Sequence, residues 1–218
     1  MSTEPTLADT GQIGLANPEL AGVEVSGLTR SSFILRGAIA AGAVYGVGAI
    51  TPFVSQALAE TGGGDVEILN FALTLEYLER EFYAKVVASG FFKGSVGSLI
   101  KSFGSQEATH VEALKGAVSK MGGTPAANPN GKFPITSATQ VAGLAYTVEN
   151  LGASAYLGQA PNIQSPEVLA TALAIHSVEA RHASVLGTLV KKSLTPDGAF
   201  AKPADMSMVL AAIKPFLP

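Results

Sequence analysis

The chain has 218 residues, a formal net charge of −3 and no cysteine. Without thiols it forms no disulfide, cysteine nucleophile or iron–sulfur cluster, and without a basic patch no nucleic acid partner is expected. From Glu60 onward 159 residues carry 12 Lys and Arg against 13 Asp and Glu, enough chain for one domain.

Residues 1–29 are polar and turn-prone, and Thr29-Arg30-Ser31-Ser32-Phe33 follows. Between Arg36 and Glu60 lie 23 uncharged residues rich in Ala, Gly, Val and Ile, closing on Ala57-Leu58-Ala59. A basic flank, an apolar run and a small-x-small end have the form of an export signal. Thr29, Arg30 and Phe33 match a twin-arginine signal, but Ser31 stands where the second Arg belongs, so general secretion stays open. An uncleaved anchor is a third reading: at about 1.5 Å per residue the run reaches across a bilayer. Gly42-x-x-x-Gly46 also has the spacing that lets membrane helices approach closely. Pro52 and the Ala-x-Ala end argue against an anchor, and a soluble core helix is the plainest alternative. Residues 1–59 are thus set apart as signal or anchor. The expected location is periplasmic or extracellular, with membrane contact only if 37–59 is retained.

The pattern then turns helical. Asp65 offers an N-cap, and apolar residues recur through Phe71, Leu75, Leu78 and Phe82, predicting helix A over 65–89. Helix B is expected over 95–121. Residues 122–136 hold three Pro, three Gly and two Asn and read as a connection long enough to run from one end of a bundle to the other. Ser137 opens helix C, 137–159, and Ser165-Pro166 opens helix D, 166–192. After the turn at Thr195-Pro196-Asp197-Gly198, residues 204–213 predict a short packing helix. The expectation is an all-α fold, a four-helix bundle over 60–195 with a long crossover between helices B and C, and a C-terminal tail over 196–218.

Two of these helices carry the same motif. Glu107-x-x-His110 lies in helix B and Glu179-x-x-His182 in helix D. A lone Glu precedes each, Glu76 by 31 residues and Glu149 by 30, and each lone Glu is followed seven residues later by a Tyr, Tyr83 and Tyr156. On a heptad step helix B reads Ile100, Phe103, Glu107, His110, Leu114, Ala117, Met121, and helix D reads Val168, Ala172, Ile175, Glu179, His182, Leu186, Leu189. Each Glu–His pair interrupts an apolar stripe, so it faces the core. Ionised carboxylates are very costly there unless paired or bound to metal. A plain buried Glu–His hydrogen bond explains one such pair better than it explains two with matched Glu and Tyr. Glu149 is the sole acid of helix C. In helix A, Glu76, Glu79 and Glu81 all compete. Glu76 matches the repeat, and Glu79 stands as an alternative or supporting ligand. Tyr83 and Tyr156 read either as ordinary core tyrosines or as donors holding a ligating carboxylate from across the bundle. His176 reads as a surface or core histidine, or an outer partner of the site. Four carboxylates and two imidazoles match two divalent ions in charge, and oxygen- and nitrogen-rich ligation suits iron or manganese.

The run from Leu69 to Tyr83, with its Glu-x6-Tyr spacing and the two Glu-x-x-His motifs, resembles the exported ferritin-like domain family that includes desiccation-related proteins. It is similar to rubrerythrins and, more distantly, to bacterioferritins and manganese catalases. The resemblance covers about residues 65–192. It implies Glu76, Glu107, His110, Glu149, Glu179 and His182 as ligands of two iron or two manganese ions, iron preferred. The duplicated ligand set motivates an enzyme that consumes dioxygen or hydrogen peroxide, in an oxidase, peroxidase or catalase-like role against oxidative stress or by oxidation of Fe(II), as a monomer or homo-oligomer; the resemblance itself defines no particular activity. Unlike rubrerythrin, the chain has no rubredoxin-like cysteine module and hence no internal electron supply. The alternative function is a metal-sequestering or stress-protective bundle without turnover.

Overall fold

The computed structural model describes residues 64–218. The expected signal or anchor at 37–59, and the polar stretch before it, lie outside those residues. Four long helices dominate the described part: α1 Asp65–Ser89, α2 Gly94–Lys120, α3 Ala138–Gln159 and α4 Pro166–Val190. A shorter α5, Met206–Ile213, follows. Among the described residues there is no strand, and no helix is long and apolar enough to cross a membrane.

The helix ends follow local chemistry, with one exchange of roles. Ser137 accepts from the Gln140 amide at 3.3 Å and Ser165 from the Val168 amide at 3.3 Å, with Pro166 in the first turn of α4. Gly90 ends α1 in the left-handed region, at φ 67°, where a side chain would be strained. Asp65, expected to cap α1, lies inside it, and Gly64 holds the cap position. The buried Asp65 carboxylate instead accepts from the backbone amides of Gln164 and Ser165, both at 2.7 Å, tying the entry of α4 to the start of α1.

Short connections make α1–α2 and α3–α4 antiparallel hairpins, each pair packed along its length, and the two hairpins meet through α1–α3 and α2–α4. The crossover between them runs along α1. Asn70 binds both Thr124 and Ala126, Glu81 accepts from Asn128 and from the Gly131 amide, and the Lys85 ammonium donates to the Gly131 carbonyl. Phe133 then packs edge-on against Phe82. The chain is thereby carried from the start of α1 to its far end, so α3 descends beside α1, as the long crossover predicts.

Two apolar layers fill the bundle. One holds Ile68, Leu73, Val111, Leu114, Val118, Ile163, Val168 and Ile175; the other holds Phe82, Val86, Ile100, Phe103, Val141 and Leu186. A third cluster lies between α1, α3 and the C-terminal segment, where Val209 and Ile213 of α5 bury against Phe71, Leu75 and Leu78. There the Ala204 amide donates to the Ser154 carbonyl at 2.9 Å, an approach allowed because Gly158 has no side chain. Between the first two layers is a polar layer.

Candidate metal centre

The polar layer contains all six expected ligands. Glu76 on α1, Glu107 on α2, Glu149 on α3 and Glu179 on α4 have no solvent exposure, and His110 and His182 are buried beside them at 9% and 3%. They form two overlapping groups. Glu76, Glu107, His110 and Glu179 bring ligand atoms within 4.8 Å of one another, and so do Glu107, Glu149, Glu179 and His182. Glu107 and Glu179 belong to both groups. Glu76 with His110, and Glu149 with His182, complete one each.

The contacts are more crowded than hydrogen bonds alone account for. His110 Nδ1 lies 3.2 Å from Glu76, 2.9 Å from Glu107 and 3.2 Å from Glu179. His182 Nδ1 lies 3.0 Å from Glu107 and 3.2 Å from Glu149. A single ring nitrogen carries one proton or one lone pair, so it cannot satisfy three oxygens. Both oxygens of Glu179 and Oε1 of Glu107 lack a properly aligned donor, although imidazole nitrogens approach Glu179 Oε1 and Glu107 Oε1. Unsatisfied charged oxygens are very costly in a protein interior. Cations between the carboxylates would satisfy them, and the donor set fits that role.

The two tyrosines hold Glu76 and Glu149 across the bundle. The Tyr156 hydroxyl on α3 donates to Glu76 on α1 at 2.6 Å, and the Tyr83 hydroxyl on α1 donates to Glu149 on α3. Burial, reinforced by those carboxylates, pushes both phenols well above their ordinary range, so both remain donors. Phe103 stacks on His182 with ring centroids 4.0 Å apart.

Without cations the electrostatics are strained in a consistent direction. Burial, then the neighbouring Glu179, raises the Glu76 carboxyl well above its usual range, and burial with Glu149 and Glu107 raises Glu179 likewise. Burial and Glu107 push Glu149 up to about 8. Burial also opposes ionisation of Glu107, but contacts with His110 and His182 outweigh it and lower that carboxyl. For His110, burial disfavours the cation, yet contacts with Glu107, Glu179 and Glu76 prevail and raise the imidazole to about 12. Excess negative charge is thus held down by protons, which a divalent ion would displace.

Glu79 and Glu81 part ways. Glu81 faces the crossover, as described above. Glu79 is buried at 2% beside the site, though in neither ligand group. His176 donates to or accepts from no carboxylate of the site; its Nδ1 lies 2.9 Å from the Ala153 carbonyl and links α4 to α3. Sequence reasoning missed Gln106, whose Oε1 is 2.6 Å from His182 Nε2. With Nε2–H donating to Gln106, Nδ1 is the nitrogen turned toward the carboxylates, where it would offer its lone pair to a bound cation. Its place immediately before Glu107 on the same helix was the available signal.

A helical bundle with a carboxylate- and imidazole-lined centre is the class these features define. The chain belongs to the family described as ferritin-like domain, whose model matches residues 64–192. No curated protein sequence matches it. Among solved structures it is similar to a conserved hypothetical protein, rv2844, from Mycobacterium tuberculosis, at 21% identity and a TM-score of 0.54, over 67% of this chain and 99% of that one. At that identity the likeness concerns the fold.

Proposed function

We propose that this protein is an exported redox enzyme in which Glu76, Glu107, His110, Glu149, Glu179 and His182 hold two iron or two manganese ions. On this reading it consumes dioxygen or hydrogen peroxide, with oxidation of Fe(II) as one form of the reaction. The observation that carries the reading is the crowding of carboxylate oxygens around two buried imidazole nitrogens, with oxygens of Glu107 and Glu179 left without donors. When bound, the metal pair supplies electrons to the oxidant by cycling between divalent and higher states. The chain's own groups do the rest. Glu107 and Glu179, common to both groups, offset the repulsion between two cations. Tyr156 and Tyr83 hold Glu76 and Glu149 in place. Apolar layers on both sides keep bulk water from the centre and strengthen every interaction within it. With no cysteine, electrons come from Fe(II) itself or from an external donor. Export rests on the apolar run ahead of Glu60, and mass analysis of secreted protein should find a chain beginning near that residue.

The test is metal content of the full-length protein after anaerobic loading with Fe(II) or Mn(II), then oxidant consumption. Two ions per chain and loss of peroxide or dioxygen are expected. Less than one ion per chain overturns the reading. Two ions without turnover replace it by metal sequestration.

A further inference from the structure

The first apolar layer is not completely filled. A cavity of about 10 Å³ lies within it, lined by Ile68 and Leu75 of α1, Leu114 of α2, Ile163, and Val168 and Ala172 of α4. Tyr156 and Gln159 of α3 complete the wall, and every other lining side chain is hydrocarbon. Tyr156 also borders the centre, because its hydroxyl donates to Glu76 at 2.6 Å. The cavity is thus one side chain away from a carboxylate of the site. Gln159 is the anomaly in this wall. It is 3% exposed, its Oε1 accepts from Asn162 at 3.5 Å, and its Nε2 has no hydrogen-bond partner. The repeat does not require it: three residues after Tyr83 the other half carries Val86, buried in the second layer. A buried amide donor left open beside a void calls for an occupant.

The void sets the size of that occupant, and its wall sets the polarity. About 10 Å³ of such space admits one molecule no wider than water. A buried water makes about three hydrogen bonds. Here one free donor is on offer, and the Tyr156 hydroxyl has already given its proton to Glu76. Hydrogen peroxide fares worse, because its O–H groups would face hydrocarbon. Dioxygen is slender and apolar and has no proton to place. We propose that this cavity holds dioxygen beside the metal centre, with the Gln159 amide as its polar contact, and that dioxygen rather than peroxide is the oxidant this protein takes. The inference rests on the redox reading above and narrows it to one substrate.

Dissolved dioxygen is paramagnetic and serves as its own probe. Methyl NMR of the full-length, metal-free protein under oxygen pressure should show relaxation of the Ile68, Leu114, Ile163 and Val168 methyls enhanced several-fold over equally buried methyls away from the cavity, those of Leu73, Val111 and Leu186. Ala172→Val, which fills the void from α4, should abolish that difference; Ala72→Val does the same from α1 if the first variant does not fold. After Fe(II) loading, the filled variant should bind metal as the wild type does but consume dioxygen several-fold more slowly, with its peroxide reaction unchanged. Uniform relaxation across all these methyls, or a long-lived water cross-relaxing with the Gln159 amide, makes the cavity a plain void or a water site and overturns the proposal. Equal slowing of the dioxygen and peroxide reactions overturns it too, since the variant then disturbs the centre rather than the supply. Each of these results leaves the redox reading standing, whereas a wild type that takes up neither Fe(II) nor Mn(II) sinks both.

Discussion

Each carboxylate of the centre has a distinct role, and substitution should expose it. Glu107 belongs to both ligand groups and Glu76 to one. Glu107→Ala should therefore abolish retention of both ions, whereas Glu76→Ala should leave the ion at Glu149–His182. Metal analysis after desalting checks this, and equal losses in the two variants would mean that Glu107 is not shared. Tyr83→Phe removes the hydroxyl that serves Glu149 and leaves that oxygen without a donor. The metal-free protein should lose about 1–2 kcal/mol, read by denaturant unfolding. These residues were legible in the sequence because a helix puts residues three, four and seven apart on one stripe, and a charge on an apolar stripe must be explained. The repeat itself singled out Glu76 over its neighbours. It could not place Glu79, because whether a residue three positions further on faces the centre depends on what the opposite helix leaves open, here Gly152, against which the Glu79 carboxylate lies. Gln106 escaped for the same reason: its meaning comes from His182, 76 residues away.

The helices were readable because their stops are chemical: Gly90, Gly122, Ser137, Ser165 and Pro166 all act at or beside the ends they predict. The heptad stripes hold through the centre and fail at their tips, where Met121 is 41% and Leu189 39% exposed. A true α-helix drifts about 20° per heptad from a strict 3.5-residue repeat, so a seven-residue ruler eventually leaves the core face. The crossover was recognisable as a connection but not as a clamped one. Its path is fixed by Asn70 and Glu81, which from the sequence alone look like ordinary polar residues of α1. Glu81→Ala should free the middle of this segment without touching the ligands. Cleavage by a non-specific protease within residues 124–133 should accelerate, stability should fall by about 1–3 kcal/mol, and metal stoichiometry should stay at the wild-type value. Faster cleavage elsewhere in place of this segment would mean that Glu81 does not anchor it.

At the scale of the whole molecule, the centre sets the pH dependence of stability, with opposite consequences with and without metal. In the metal-free chain Glu149 keeps its proton up to about pH 8, whereas in the unfolded chain it ionises in the ordinary carboxylate range. The folded state thus binds more protons between those limits, and the stability Glu149 contributes is lost as pH rises toward 8. Glu76 and Glu179, also raised, act in the same direction. His110, raised to about 12, also acts in this direction: the unfolded chain loses this proton in the ordinary imidazole range while the folded chain keeps it, so its contribution declines steadily from there upward. Glu107 alone runs the other way: its carboxyl is lowered, and its contribution disappears on acidification. The raised groups outnumber it, so the Tm of the metal-free protein should fall between pH 5.5 and pH 8.5. Bound metal should oppose the trend, because its ligands must be deprotonated and binding would expel the protons held there. The increase in Tm produced by saturating Mn(II) should therefore grow over the same interval. Differential scanning calorimetry across that range, with and without Mn(II), measures both slopes. A metal-free Tm that rises with pH, or a metal-induced increase that does not depend on pH, would show that the buried carboxylates are not the groups that take up the ions.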